Sequence, residues 1–268
     1  MPVITKISKQ VKNDERYNIF LDEKYAFSVD EEVLARLQLQ KGKELEDEDL
    51  AEIQFQDDIR KGFNLALHYL SHRMRSEKEI ETFLKGKEIE ETIIPEILFK
   101  LKEYKYINDL EFAIAYVRTQ MATTKKGPVI IRKELHEKGI QDHFIEESLK
   151  EFLFDHQLEN GVALGEKVAR QNKKLSEVQV KQKIEQTLIR KGFGWDIIQE
   201  VLDAVSYEKE EDEEWDAVVH QGEKAHRKYA KFDDFEYRQK MKQALYRKGF
   251  SMDLIERFID YINEEESE

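Results

Sequence analysis

The stretch KGPVIIRKELHEKGIQDHFIEESL, Lys126 to Leu149, carries the pattern that decides the fold. Gly127 breaks whatever precedes it, and Pro128 stands at a helix start, where a residue without a backbone N–H loses nothing. Ile131 and Leu135, four apart, share one helical face. Lys138-Gly139 then closes the helix, placing a cation at its negative end and a glycine where left-handed backbone is wanted. A second amphipathic segment follows, with Phe144, Ile145 and Leu149 as its stripe.

One such helix–turn–helix has no special meaning; its weight comes from repetition. Ile131-x3-Leu135-x2-Lys138-Gly139-Ile140, leading to Ile145, recurs as Ile184-x3-Leu188-x2-Lys191-Gly192-Phe193, leading to Ile198. It recurs again as Met241-x3-Leu245-x2-Lys248-Gly249-Phe250, leading to Ile255. Upstream, Ile80-x3-Leu84-x2-Lys87-x-Ile89 leads to Ile94, with Glu88 where the other copies have glycine. The anchor lysines Lys87, Lys138, Lys191 and Lys248 stand 51, 53 and 57 residues apart. Leucine followed by Lys-Gly is ordinary helix-stop chemistry when it occurs once. Four copies in register, each with a matched apolar residue before and after, are a repeat. A period of this size predicts a tandem array whose units bury their faces against their neighbours.

The chain outside the repeat supports this. VITKISKQV alternates apolar and polar residues as a half-buried strand does, and YNIFLD and YAFSV flank an Asp22-Glu23-Lys24 turn, a β-hairpin signal. Val33, Leu34 and Leu37 predict a short helix entered through Ser28 or Asp30, and the acids Glu46 to Asp49 suit the start of the next. From Gly62 onward every substantial pattern is helical. Ser76 with Glu79 forms a capping box, Pro95 falls in the first turn of a third helix, and Asn108 or Asp109 caps the helix carrying Phe112, Ala115 and Tyr116. The expected fold is mainly α: four tandem three-helix repeats in an elongated, curved array, behind a small N-terminal α/β module with a β-hairpin. The expected boundaries are 1–59, 60–108, 109–158, 159–206 and 207–268.

Composition narrows the function classes. Three prolines and 11 glycines in 268 residues favour long helices over many tight turns. The absence of cysteine excludes a disulfide framework and thiolate metal sites. MPVITKISKQ has no basic n-region followed by an apolar run, and no stretch reaches the roughly 18 apolar residues that span a bilayer. The expectation is a cytoplasmic protein with no membrane partner. A net charge of -13 argues against a charge-driven nucleic-acid coat. Locally the charge alternates: residues 60–87 hold seven basic and three acidic side chains, and 88–111 hold three and seven. Residues 167–191 hold eight and two, 194–216 one and ten, and 224–248 nine and three. Basic first and second helices with acidic third helices predict a basic and an acidic flank; the alternative is solvated faces with local ion pairing.

Catalytic signatures are missing. His68 and His72 have metal-compatible i,i+4 spacing but no marked third ligand and no metalloprotease glutamate, which leaves a surface or packing role. His220 and His226 share a helical face poorly. Gly161-Val-Ala-Leu-Gly165 lacks the second half of a phosphate loop, and Gly165 and Gly222 occupy matching places in the third and fourth repeats, as close helix packing would require. Trp195 and Trp215 are expected in the core or at repeat junctions. No active site, metal or cofactor is predicted.

Several runs nonetheless carry a resemblance. Tyr69-Leu70-Ser71-His72-Arg73-Met74-Arg75-Ser76-Glu77-Lys78-Glu79-Ile80, Asn108-Asp109-Leu110-Glu111-Phe112-Ala113, and Lys126-Gly127-Pro128 leading to Glu134-Leu135-His136-Glu137-Lys138-Gly139-Ile140 resemble the signature of the RecX family. Ile4-Thr5-Lys6-Ile7 with Tyr17-Asn18-Ile19-Phe20-Leu21-Asp22 is similar to the N-terminal extension of its longer Gram-positive members, and a fourth repeat also fits those members. The resemblance covers essentially the whole chain. It implies a non-enzymatic regulator of the RecA recombinase that binds the RecA–single-stranded-DNA filament and restrains its ATPase, strand exchange and growth, with direct DNA binding in some members; the chain itself is expected to be a monomer. On that footing the exposed candidates for contact with RecA or DNA are Arg73, Arg75, Arg118, Lys125, Lys126, Arg132, Lys133, Lys181, Lys183, Arg238 and Lys240. The competing reading is a direct DNA binder using its repeats as helix-turn-helix modules.

Overall fold

The computed structural model describes residues 1–11, 13–205 and 210–265. The expected boundary at 206/207 lies outside the described residues. The chain divides into two compact units, residues 1–113 with 135–145, and residues 114–134 with 146–268.

The first unit opens with an antiparallel meander, β1 (Ile4–Lys9), β2 (Arg16–Leu21) and β3 (Lys24–Asp30), in that order across the sheet. Asp22 and Glu23 both take left-handed φ, 48° and 68°, which gives the tight two-residue turn whose twist matches that of the strands. The hairpin read from sequence is therefore present, and VITKISKQV adds the third strand. Asp30 caps α1 (Glu31–Arg36) by accepting from the Glu32 amide at 3.0 Å. Ile4, Ile19, Val29, Val33, Leu39, Leu45 and Ile53 close the core of this module.

Helix α2 (Asp47–Leu70) runs unbroken for 24 residues. Ile53 belongs to the core of the sheet module, whereas Ile59, Phe63 and Ala66 belong to the core of the first repeat. The expected boundary at residue 59 thus falls inside a helix. Gly62, from which every substantial pattern reads as helical, is a buried interior residue whose missing side chain makes room for Ile97. Asp57 ties this helix to the sheet. It is 2% exposed, receives both Arg16 guanidinium nitrogens at 3.2 and 2.8 Å, pairs with Lys61 at 3.0 Å, and accepts the Asp30 amide at 2.9 Å.

The remaining helices are α3 (Glu77–Lys85), α4 (Ile94–Glu103), α5 (Asp109–Thr123), α6 (Pro128–Glu137), α7 (Asp142–Leu149), α8 (Phe154–Gln171), α9 (Glu177–Lys191), α10 (Trp195–Ala204), α11 (Glu211–Tyr229), α12 (Asp234–Tyr246) and α13 (Met252–Glu265). The repeat motif is the core: Ile80, Ile131, Ile184, Met241, Leu84, Leu135, Leu188 and Leu245 are all 0% exposed. Caps follow the sequence as well. Ser76 and Glu79 form the capping box, Asn108 accepts from the Leu110 and Glu111 amides, and Gly139, Gly192 and Gly249 sit at φ 80°, 85° and 85°. In the second unit Gly161 and Gly165 let α8 approach α10, where a Cβ would come within 2.6 Å of Val201 and 2.8 Å of Val205; Gly222 accommodates the Phe258 ring. Trp215 is half-buried, edge-on to Tyr261 and under the Arg257 guanidinium. Trp195, expected in the core or at a repeat junction, is outside the core: it is 57% exposed at the first position of α10, because Ile197, Ile198, Val201 and Leu202 form that helix's buried stripe.

Candidate interaction surface

The surface is positioned by a contact that occurs three times. In each case the carbonyl of an anchor lysine, left without a helical partner by the glycine stop, accepts a hydrogen bond from the start of the preceding repeat's second helix. Ser76 Oγ donates to the Lys138 carbonyl at 2.8 Å, the Gly127 amide donates to the Lys191 carbonyl at 2.8 Å, and Ser176 Oγ donates to the Lys248 carbonyl. The negative end of one helix therefore meets the positive end of another, satisfying orphan groups on both. The glycines make the approach possible. A Cβ would stand 2.6 Å from Lys78 Cδ at Gly139, 2.6 Å from Ile130 Cγ1 at Gly192, and 2.5 Å from Val178 Cβ at Gly249. A second bond reinforces two of these locks: the Glu77 amide donates to Asp109 at 2.9 Å and the Glu177 amide to Glu214 at 3.4 Å. The corresponding residue of α6 is Pro128, which has no amide hydrogen to satisfy.

Side chains strengthen the first lock, since Lys138 Nζ lies 2.9 Å from Glu79 Oε1 and Arg73 reaches the same carboxylate at 3.1 Å. Burial works against the Glu79 charge, but hydrogen bonds from Arg73, Lys138 and the Ser76 amide outweigh it and hold its pKa below the ordinary 4.5. A carboxyl with a depressed folded-state pKa contributes stability above its unfolded value and loses it as pH falls through the folded one. Wild type is therefore expected to melt above Glu79→Gln at neutral pH, with the gap closing as pH drops below 4.5. Thermal melts of the two proteins across that range check this; a pH-independent gap would contradict it.

The candidate cations do not form a free basic face. Arg75 is half-buried, its guanidinium 4.0 Å from the Tyr69 ring centre, and Tyr69 in turn stacks on Phe83. Lys126 is 27% exposed and holds Glu134 at 2.5 Å; Lys125 is half-buried with φ 50°. Arg132 pairs with Glu146, Arg238 with Asp260 at 2.8 Å, and Arg118 with Glu151 at 2.8 Å. Lys183 reaches Asn172 at 2.9 Å, and Lys240 lies over the Phe232 ring. Lys133 and Lys181 are exposed. The alternation of charge resolves largely into pairing between a basic second helix and the acidic third helix of the same repeat, as Arg132–Glu146, Arg238–Asp260 and Lys242–Glu256 illustrate. Such exposed pairs each contribute about 0–1 kcal/mol. The physical reason for the departure from two flanks is that second and third helices of one repeat lie side by side.

Hydrophobic exposure distinguishes the repeats more sharply. Two residues before and four after the anchor lysine, the first repeat carries Lys85 and Glu91, paired at 3.1 Å, and the second carries His136 and Asp142, paired at 3.3 Å. At the same positions the third repeat has Ile189 and Trp195, 53% and 57% exposed, and the fourth has Tyr246 and Met252, 64% and 40% exposed. The fold tolerates polar groups there, so packing does not demand these four apolar side chains. From sequence alone, Ile189, Tyr246 and Met252 go unmarked and Trp195 is expected in the core or at a repeat junction. The signal was available in aligned positions that switch from polar to apolar halfway along the chain. His68 and His72 are both exposed, their ring centres 5.3 Å apart. No group of three or more metal-competent side chains occurs among the described residues.

Comparison with known proteins covers nearly the whole chain. Residues 155–202 and 211–259 each match the family described as RecX, third three-helix domain. Residues 108–149 match the second three-helix domain, 63–101 the first, and 2–46 the regulatory protein RecX N-terminal domain. Regulatory protein RecX of Bacillus licheniformis is 52% identical over 260 residues, spanning 97% of this chain and 99% of its own. That of Bacillus subtilis is 51% identical over 259 residues, with 97% and 98% covered. A crystal structure of regulatory protein RecX superposes with a TM-score of 0.71 at 38% identity, covering 76% of this chain and 100% of that one. RecX from Lactobacillus salivarius gives 0.53 at 43% identity, covering 55% and 96%.

Proposed function

The chain belongs to the RecX family, and from that premise we propose that it binds the RecA–single-stranded-DNA filament and restrains ATP hydrolysis, strand exchange and filament growth without catalysing a reaction itself. The observation that carries the reading is the pair of exposed apolar sites one repeat apart, Ile189 with Trp195 and Tyr246 with Met252. Tryptophan and tyrosine are the residue types that most often dominate protein interfaces. Two equivalent sites on consecutive repeats suit a partner that is itself a repeating polymer. Of the cations, Arg118, Lys133, Lys181 and Lys183 remain exposed enough to supply the polar rim, whereas Arg75 and Lys126 serve the fold.

The test is DNA-dependent ATP hydrolysis by RecA with this protein added below stoichiometry. Inhibition is expected, and its absence at excess would sink the proposal. Trp195→Ala with Tyr246→Ala should raise the concentration needed for half-inhibition by about thirtyfold or more, since a hot-spot truncation removes roughly 2 kcal/mol, with the thermal midpoint unchanged. Reversing charge at Arg132 and Lys133 should weaken inhibition less, and Glu146→Ala separates loss of the Arg132–Glu146 pair from loss of contact.

One observation favours the direct DNA-binding reading. Tyr246 is 64% exposed, a ring available for base stacking, and the next residue in sequence, Arg247, is an exposed cation. A salt-dependent mobility shift of naked DNA that is lost in Tyr246→Ala would support it.

A further inference from the structure

Among the described residues the lock occurs three times, and two of its halves have no counterpart there: the Lys87-Glu88 turn of the first repeat and the start of α12 in the fourth. By the pattern of the other three, a second copy could stack its first-repeat turn on this copy's α12. Such a contact is head-to-tail, joining two different surfaces, so it would recruit further copies into a ring or a fibre.

Both halves depart from the pattern at the atoms the lock uses. At the turn, Gly139, Gly192 and Gly249 are replaced by Glu88, which keeps the left-handed backbone, φ 60°, and is exposed along with Lys87. At the glycines a Cβ would come within 2.5 to 2.6 Å of the incoming helix start, and Glu88 supplies such a Cβ. At α12, the hydroxyl of Ser76 and Ser176 is replaced by the carboxylate of Asp233, which accepts from the Glu236 amide at 2.9 Å and has no hydrogen to give a carbonyl. Two residues on, where Lys78 and Val178 lie against the lock glycines, stands Phe235, 72% exposed. Carboxylate against carbonyl is repulsive, and the ring is larger than the side chain it replaces.

We infer that Glu88, Asp233 and Phe235 are stops that hold the array at four repeats by making its two ends incompatible with each other in a second copy. A non-glycine residue in left-handed backbone carries a penalty on the order of 1 kcal/mol, and blocking end-to-end growth gives Glu88 a reason to bear it.

Sedimentation velocity of the full chain over a wide concentration range tests this. Wild type should keep a constant sedimentation coefficient, and the Glu88→Gly, Asp233→Ser, Phe235→Val triple variant should show one that rises with concentration. A wild type that already associates, or a folded triple variant that stays monomeric, overturns the assignment. If the triple variant does not fold, the reverse exchange decides. Ser176→Asp with Gly249→Glu installs the stops in an internal lock and should raise hydrogen exchange around residues 176–180 and 247–250. Unchanged exchange there overturns the assignment equally.

Discussion

Replacing Asp57 by alanine is expected to lower the stability of the N-terminal unit by about 3–5 kcal/mol, the range for removing one partner of a buried ion pair. Asp57 is 2% exposed and Arg16 16% exposed at the side chain, so neither charge is well solvated. Without the carboxylate, the Arg16 guanidinium keeps its bonds to Ser28 but loses its counter-charge, and the buried Asp30 amide loses its acceptor. Asp30 caps α1, so the damage extends from α2 through the sheet to that helix. Asp58→Ala is the control. Asp58 is 40% exposed and pairs with Lys61 at the surface, where about 0–1 kcal/mol is at stake. Denaturant unfolding of the three proteins measures the difference, and similar midpoints for the two variants would refute the account.

Gly127→Ala should cost about 2–5 kcal/mol, combining overpacking with the loss of two hydrogen bonds. A methyl group at residue 127 would overlap the Gly192 carbonyl and the Phe193 nitrogen, which are backbone atoms and cannot rotate away. Relief requires α6 to withdraw, breaking the bonds from the Gly127 amide to Lys191 at 2.8 Å and from the Val129 amide to Gly192 at 3.1 Å. Faster exchange of those two amides, with a lowered thermal midpoint, is the expected result. Gly86→Ala supplies the contrast, because Gly86 has φ −69° and its nearest neighbours to a new Cβ lie at 3.5 Å. That variant should be neutral or gain up to about 1 kcal/mol from reduced freedom of the unfolded chain. Equal losses in both variants would mean that Gly127 matters only as a helix breaker.

These two sites show where reading the sequence succeeds and where it stops. Gly127 and Pro128 mark a helix start from sequence, and α6 does begin at Pro128. That Gly127 is also where two backbones touch depends on Lys191 and Gly192, more than sixty residues later. The capping box of Ser76 was legible because Glu79 is three residues away; the bond from Ser76 to Lys138 was not, because its partner is 62 residues away. The candidate surface was legible as a list of cations, but their partners were not. Arg132 and Arg238 look free in a charge count and are bound to acids on the neighbouring helix.

The sequence by itself determined the period, the helix ends, the buried stripe and the hairpin. Each of these follows from local backbone preference and from apolar spacing within one or two turns. Only the tertiary structure decided that α2 runs through the expected boundary, that Trp195 faces solvent, that the charges pair within repeats, and that each Lys-Gly stop receives the start of another helix. The stop at Gly139 is the clearest case. Local chemistry places a left-handed glycine there, but only the approach of Lys78 to its missing side chain explains why glycine is required, and why Glu88 can stand at the turn that receives no helix start among the described residues.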